Sequence, residues 1–413
     1  MTDLETPVAT PPRTGALRRA APALLGYAAV RALGLIALAV WSAANGKSAH
    51  TLLTARWDSL WYTRVAELGY GYEVRLPNGD VHSNLAFFPL LPWLERLVSA
   101  LTPLSYADAG LLVGTLASLA AAWGIFAVAD HVYGRRAGVC AVLVWAVLPI
   151  GIVQSMAYSE SLFTALAAWS LYAVLTGRWL TAGTLAALAG LTRPVGAAVV
   201  AALWVAAITS FVRDTPTARD TSYVRDTPTA RDTSYVPNRS ALHPDGAPAW
   251  RRALGMLLAP LGAAGYVLWV GHRTGGGPLG YLDVQAQWGN GFDGGYAFAR
   301  FVGDKFTSFP SALAGLGLIV GVALVVWLYV TCLRQGQPLP LLVYAGIVTA
   351  LALCASGYFG SKPRLLLPAF PLLLPLAVAL SRLRTSRSAL VLGGAAVASA
   401  AYGAFWLNGT GPP

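Results

Sequence analysis

Two acidic side chains lie where this otherwise apolar chain turns polar, and either could accept a proton from a hydroxyl group. Asp58 lies in RWDSLWYTRVAELGY, directly after the first long apolar run, and Glu160 lies in the tetrad YSES that opens a later run. A carboxylate at a membrane surface is suited to general-base chemistry on a substrate that comes from the bilayer. The simpler interpretations are that Asp58 caps a helix and that Glu160 favours the positive end of a helix dipole.

Three cations occur in unexpected places and could bind an anion. Arg193 is embedded in LAALAGLTRPVGAAVV, and an arginine at membrane depth is costly unless it is paired or faces a polar cavity. Lys362 and Arg364 fall on the predicted outer side, against the usual placement of positive charge inside. We predict that Arg193, Lys362 and Arg364 bind a phosphate group, for which arginine has a suitable forked geometry. The alternative for the last two is snorkelling at a helix end.

Aromatic side chains surround the acidic residues. At helical spacing, an apolar stripe runs along Trp57, Trp61 and Leu68. Asp58 and Tyr62 project together beside this stripe. We predict that a substrate site is lined by Trp57, Trp61, Tyr62, Tyr158, Gln285 and Trp288.

Composition sets the class of protein. The 413 residues are 56% apolar and 11% charged, and the mean hydropathy is +0.57. Apolar windows long enough to cross the bilayer as helices recur along the chain, which predicts a polytopic all-α membrane protein. The net charge of +11 is scattered in short clusters between spans, which argues against a nucleic-acid partner. The cysteines form no CxxC pair and the histidines share no ligand spacing, so we predict no metal and no cofactor.

Loop charge predicts the topology. With the basic clusters in the cytoplasm, the chain makes about eleven crossings, and residues 180–212 go out and back with a turn near Arg193. We interpret Phe87–Leu104 as a helix on the outer interface; the alternative makes it a span.

The predicted crossings divide the chain into modules. They are a cytoplasmic tail (1–23), an N-terminal transmembrane module (24–211) with juxtamembrane helices in its first outer loop (45–107), a cytoplasmic loop (212–252), a C-terminal transmembrane module (253–407) and a tail (408–413). The sequence VRDTPTARDTSY occurs twice in tandem over residues 212–235, which predicts a disordered segment.

Four separated segments carry a resemblance to a known family. RWDSLWYTRVAELGY resembles the WD…Y…GY segment of the PIG-V-type mannosyltransferases and their bacterial relatives, members of the GT-C superfamily. FFPLLPWLER is similar to the block that follows it there. The stretch from MAYSESLF to LTRPVG and the run KPRLLLPAFPLLLPLA resemble two later blocks of that family, in the same order.

The resemblance implies a polytopic GT-C fold and an inverting glycosyltransferase. The donor would be a polyprenyl-phosphate sugar, with mannose as the sugar that the family implies, and transfer would occur on the outer face of the cell membrane, here that of a bacterium. The key acid of the first outer loop maps onto Asp58, which is followed by Ser59 rather than a second acid, and Glu160 is the candidate helper. The acceptor would be a lipid, polysaccharide or protein of the cell envelope. The competing interpretation is a polytopic transporter or lipid flippase without transferase activity.

Overall fold

The computed structural model describes residues 13–214 and 248–409, and these residues are almost entirely helical. The only sheet among them is a hairpin of β1 (Glu73–Arg75) and β2 (Val81–Ser83). The helices are α1 (Arg13–Ala44), α2 (Ala49–Thr54), α3 (Asp58–Leu68), α4 (Leu90–Leu101), α5 (Tyr106–Tyr133), α6 (Arg135–Ala146), α7 (Ser159–Leu175), α8 (Trp179–Gly190), α9 (Ala197–Asp214), α10 (Ala249–Leu258), α11 (Leu261–Thr274), α12 (Gly280–Gln287), α13 (Tyr296–Asp304), α14 (Ser311–Arg334), α15 (Leu339–Cys354), α16 (Lys362–Leu365), α17 (Leu374–Arg382) and α18 (Thr385–Asn408).

Within the described ranges, six helical segments are long and apolar enough to cross a membrane, so this is a multi-pass membrane protein. They are Gly15–Ala44, Tyr106–Tyr133, Pro194–Arg213, Ala249–Thr274, Ser311–Arg334 and Thr385–Asn408. A seventh is added if Phe359–Leu365 and Phe370–Arg382, bent by 76°, form one broken span. The predicted class is confirmed, but fewer full-length spans are present than the predicted number. Several predicted crossings, such as α7 and α8, are apolar helices shorter than the roughly 20 residues that a crossing requires.

The first helix begins at Arg13, inside the tail predicted for residues 1–23. Arg19 in this extension pairs with Asp130 near the end of α5, with Nη2 2.7 Å from Oδ1 and Nε 3.2 Å from Oδ2. Arg135 also donates to the Arg19 carbonyl at 3.3 Å. These contacts gather basic residues at one end of the bundle, as expected for the cytoplasmic end.

A helix hairpin forms where the sequence predicts a turn. Arg193 is extended (φ −160°, ψ 153°) between α8 and α9, because the following Pro194 disfavours helical geometry in the residue before it. The two helices then approach closely because residue 196 is a glycine. A Cβ at this position would lie only 2.6 Å from the Gly190 Cα. The Arg193 side chain is thus presented by a turn that is enclosed within the bundle.

The first outer loop contains the hairpin as well as the predicted helices. Its turn ends in Gly79, at φ 92°, a conformation that glycine adopts readily. α4 has 12 residues, too few for a full crossing, and it is two-sided: Leu91 is fully buried whereas Trp93 is 53% exposed. This pattern suits a helix at the membrane surface, as predicted for Phe87–Leu104.

A second loop on the predicted outer side, residues 275–310 (the second outer loop), packs against the first. Its Trp288 donates from Nε1 to the Ser83 carbonyl at 3.0 Å. From within α11, which precedes this loop, Tyr266 donates to the Phe87 carbonyl at 2.8 Å. Trp288 and Tyr266 both donate to backbone carbonyls of the first loop. These hydrogen bonds fix the position of the first loop against the second loop and α11.

The contact between α8 and α11 depends on a glycine. A Cβ on Gly262 would lie 1.8 Å from the Ala187 carbonyl oxygen, whereas Gly265, on the same helix, faces open space. We expect Gly262→Val to force the helices apart and to destabilise the protein by about 1–3 kcal/mol or more. Gly265→Val is the control, because it has the same effect on helix propensity without the steric clash. Thermal unfolding in detergent checks this, and equal midpoints for the two variants would contradict the packing.

The orientation of the chain is a second prediction. Almost all of the tandem repeat lies outside the described residues, and we expect it in the cytoplasm, whereas the exposed hairpin turn at Asn78 faces outward. In a variant without Cys140, Cys332 and Cys354, an impermeant maleimide should label a cysteine placed at Asn78 in intact cells. It should label one at Ser222 only after permeabilisation. Labelling at Ser222 in intact cells would reverse the orientation.

Candidate active site

Four charged side chains from distant parts of the chain meet below the first outer loop. Arg364 donates from Nη1 to Asp58 Oδ2 at 2.7 Å, and its Nε lies 3.4 Å from Glu160 Oε1. Arg193 Nη1 lies 2.5 Å from the same Glu160 oxygen. Two carboxylates and two guanidinium groups balance in charge, which makes their joint burial tolerable. We call these four residues the charge cluster.

Each member of the charge cluster lies at the end of a helix or in a turn. Asp58 is the first residue of α3, and Glu160 is the second residue of α7. Arg193 occupies the turn between α8 and α9, and Arg364 lies in the four-residue α16. Short or terminal elements allow side chains from four directions to reach one point.

Exposure distinguishes the two carboxylates. The Asp58 side chain is 26% exposed, whereas that of Glu160 is 1% exposed. The side chains of Arg364 and Arg193 are 9% and 14% exposed. Asp58 is therefore the carboxylate that a substrate can reach, while Glu160 is enclosed between two guanidinium groups.

Tyr62 and Ser159 connect the first outer loop to α7. The Tyr62 hydroxyl lies 2.7 Å from Ser159 Oγ, which also accepts a hydrogen bond from Arg193 Nη1 at 3.2 Å. Tyr62 is buried, and burial raises the pKa of its hydroxyl well above the usual range. The structure thus places Tyr62 as a protonated anchor behind the charge cluster, rather than on the surface beside Asp58.

Tyr158 is also behind the cluster. Its ring is fully buried, and the Arg364 guanidinium carbon lies 5.1 Å from the ring centroid. A cation over an aromatic face is stabilised electrostatically, more so when water is excluded. Tyr158 therefore supports Arg364 from below, and the structure does not bring it to an exposed surface.

Backbone strain coincides with the charge cluster. Among the described residues, the non-glycine positions with positive φ are Trp57 (φ 50°) and Tyr358 (φ 47°). Trp57 immediately precedes Asp58, and its ring lies under the Arg56 guanidinium at 3.9 Å. Strained residues of this kind persist only where the surrounding structure imposes them, and they concentrate at functional sites. Here the unusual turn at Trp57 directs the chain into α3 so that Asp58 faces Arg364.

The structure does not bring Lys362 to the other predicted phosphate-binding residues. Its Nζ donates to the carbonyls of Ala352 and Ala355 at 2.9 and 2.8 Å, away from the charge cluster. The reason is helical geometry, because residues two apart on a helix point about 200° apart. Lys362 and Arg364 therefore face opposite sides of α16.

Three more predicted substrate residues lie together, but within the contact between the two outer loops. Trp61 stacks on Phe87 with ring centroids 5.6 Å apart and meets Trp288 edge-on at 4.8 Å. Gln285 donates to the Ala86 carbonyl at 3.2 Å. These side chains are partly exposed, so they bound the site while also joining the loops.

Sequence reasoning missed Ser159 in the site and Glu95 in the first outer loop. Ser159 was not singled out within the tetrad YSES, yet its hydroxyl contacts Tyr62 and Arg193. Glu95 of α4 is fully buried, and it fits because residue 110 is a glycine. A Cβ on Gly110 would lie only 2.5 Å from Glu95 Oε1. Burial raises the Glu95 pKa well above its usual value. The sequence does contain a pattern that could have revealed Glu95: it lies one helical turn after Leu91, on the apolar face of α4.

The cluster combines a reachable carboxylate with two buried guanidinium groups. The carboxylate can accept a proton, and the guanidinium groups can bind a phosphate through forked hydrogen bonds. Within residues 13–214 and 248–409, no group of three or more His, Cys, Asp or Glu side chains is placed to hold a metal ion.

A family model matches part of the chain. Residues 84–222 match the family described as dolichyl-phosphate-mannose-protein mannosyltransferase. This range contains Glu160 and Arg193 but neither Asp58 nor Arg364, and it covers less than half of the chain. The resemblance to the narrower PIG-V-type family stays a prediction.

Solved structures show a distant likeness. ArnT from Cupriavidus metallidurans bound to undecaprenyl phosphate aligns with a TM-score of 0.48 and 17% identity, covering 86% of this chain and 60% of that chain. The oligosaccharyltransferase of Archaeoglobus fulgidus, in complex with Zn and sulfate, aligns with a TM-score of 0.46 and 15% identity, covering 93% and 53%. This chain thus spans less than two thirds of the length of these proteins. The comparison with curated proteins gives no match.

The enclosure of Glu160 leads to a prediction about stability. Glu160→Gln removes the carboxylate that Arg193 and Arg364 share, and breaking a buried pair in this way costs about 3–5 kcal/mol. We expect the lower end of this range, because Arg364 keeps Asp58 as a partner. Glu67→Gln, at an exposed position of α3, is the matched control. Thermal unfolding in detergent measures both, and an unchanged midpoint for Glu160→Gln would contradict the described pairing.

Proposed function

We propose that this protein is an integral membrane glycosyltransferase of the GT-C type, which transfers mannose from a polyprenyl-phosphate donor to a hydroxyl acceptor of the cell envelope. Transfer takes place on the outer face of the membrane. The observation that carries the proposal is the charge cluster, in which one reachable carboxylate, Asp58, shares Arg364 with a buried one. This arrangement provides a proton acceptor and a phosphate site within one ion-paired group.

Asp58 is the general base. It contacts a single guanidinium group and is 26% exposed, so an acceptor hydroxyl can approach its carboxylate. Glu160 is 1% exposed and lies within ion-pair distance of both arginines. Glu160 therefore holds Arg193 and Arg364 in place and does not itself take the proton.

Arg364 changes partner when the donor binds. Without donor, its Nη1 is hydrogen-bonded to Asp58 Oδ2, so this oxygen is not available to an acceptor hydroxyl. The donor phosphate competes for this guanidinium, and arginine binds phosphate as readily as carboxylate. Once the phosphate takes Arg364, Asp58 Oδ2 is free to accept the proton of the acceptor hydroxyl. Proton abstraction is thereby linked to the presence of donor.

The reaction is a single displacement at the anomeric carbon. The acceptor oxygen forms a bond to this carbon as Asp58 takes its proton, and the bond from the carbon to the phosphate oxygen breaks. The departing polyprenyl phosphate keeps the electron pair, and Arg193 and Arg364 stabilise its growing negative charge. One displacement inverts the configuration of the sugar.

Two lines of support lie outside the geometry. The segments that resemble blocks of a GT-C family contain Asp58, Glu160, Arg193 and Arg364, and the family model that matches residues 84–222 is that of an enzyme named for dolichyl-phosphate-mannose. Mannose is accordingly the proposed sugar. The proposed acceptor is a lipid, polysaccharide or protein of the envelope, and the partners are membrane lipids and the polyprenyl carrier.

The function is tested by removing the base. Asp58→Asn keeps size and hydrogen bonding but cannot accept a proton, so we expect transfer to fall by about a hundredfold or more. The assay follows labelled mannose from polyprenyl-phosphate-mannose into acceptor in membranes that contain the protein. Asp80→Asn, in the hairpin of the same loop, is the control and should transfer at the rate of the parent protein.

If folded Asp58→Asn protein transfers mannose at nearly the parental rate, Asp58 is not the general base. The parent protein could instead move lipid or sugar across the membrane of vesicles without forming a glycosidic bond. That result would favour the transporter or flippase alternative.

A further inference from the structure

Lys362 lies two residues before Arg364, yet it serves another part of the structure. Its side chain is buried, and its Nζ donates to the carbonyls of Ala352 at 2.9 Å, Leu353 at 3.3 Å and Ala355 at 2.8 Å. A lysine ammonium has three donors, so these carbonyls can take all of them.

Ala352 and Leu353 lie in the last turn of α15, and Ala355 is the residue directly after it. The last carbonyls of a helix lack backbone N–H partners, and a cation there also interacts favourably with the helix dipole. Ala352 is buried, so water cannot readily replace the ammonium. Lys362 therefore caps α15 and closes the connection of residues 355–361 onto the end of that helix.

Aromatic rings and the second outer loop enclose this cap. Lys362 Nζ lies 4.7 Å from the ring centroid of Phe298 in α13 and 5.4 Å from that of Phe359. Nearby, Phe292 forms an isolated β-bridge with Ala355. The second outer loop thus holds the segment that leads to Arg364, and the Lys362 ammonium lies where the loop, α15 and α16 meet.

α16 depends on this anchoring. It comprises Lys362–Leu365, and a helix of a single turn fixes several residues for very few hydrogen bonds, so it is not stable alone. Arg364 must nevertheless reach Asp58 and Glu160 at once. A shift of about 1 Å in such a group can lower a catalytic rate by a hundredfold.

We propose that Lys362 is a positioning residue, which caps α15 and so fixes the start of α16 with Arg364 directed into the charge cluster. This inference rests on the proposed function, since it takes Arg364 to be a phosphate-stabilising group. It assigns Lys362 no contact with the donor.

A double-mutant cycle tests the inference. We expect Lys362→Met to lower kcat by about 10–100-fold, while the donor KM rises by less than about threefold. Lys362→Met in combination with Arg364→Gln should transfer no more slowly than Arg364→Gln alone, because no guanidinium is left to position. Lys305→Met is the matched control: Lys305 Nζ also lies over a phenylalanine ring, Phe301, at 4.4 Å. It should retain the parental rate.

Hydrogen exchange supplies a readout that needs no transfer. Lys362→Met should speed exchange of the amides in residues 355–366, and Arg364→Gln should not. If the parent protein transfers no sugar, the proposed function fails, and the exchange result still decides the role of Lys362. Unchanged exchange in Lys362→Met, or a further loss of rate when the two substitutions are combined, would overturn the inference.

Discussion

Two guanidinium groups buried near the membrane surface impose the main constraint on this structure. An arginine removed from water costs several kcal/mol unless a carboxylate lies within hydrogen-bond distance. Arg193 and Arg364 meet this requirement by sharing Glu160, and Arg364 also takes Asp58. For these contacts to form, the first outer loop, the start of α7, the turn between α8 and α9, and α16 must converge. The extended Arg193 and the strained Trp57 are local consequences of that convergence.

The same constraint gives the site its proposed chemistry. Arg193 is bound to a carboxylate that is almost fully enclosed, so its position is fixed. Arg364 is bound to Asp58, which is open on one side. A phosphate arriving from that side can replace one carboxylate without leaving any arginine unpaired. The charge balance that stabilises the free protein therefore also makes Arg364 available to the donor.

Much of this could be predicted from the sequence, and the failures have physical causes. Asp58, Glu160 and Arg193 stood out because a charge within apolar sequence is costly, and the turn near Arg193 followed from the distribution of basic residues between the spans. Their pairing could not be predicted, since Arg364 and Asp58 are separated by 306 positions and no local pattern connects them.

Lys362 was grouped with Arg364 because the two are neighbours in sequence, but one turn of helix directs them to opposite sides. The number of crossings was harder to predict, because hydropathy does not report where a helix ends. Likewise, Tyr62 and Tyr158 were predicted to line the substrate site because tyrosines are common at membrane surfaces. Only the packing shows that both are buried behind the cluster.

We propose that Asp58 and the donor phosphate compete for Arg364. The dissociation constant of polyprenyl phosphate, measured for the parent protein and for Asp58→Asn, tests this competition. We expect Asp58→Asn to bind the lipid phosphate more tightly, because Arg364 is released and a nearby negative charge is removed. Equal or weaker binding by the folded variant would show that Arg364 does not exchange between the two anions.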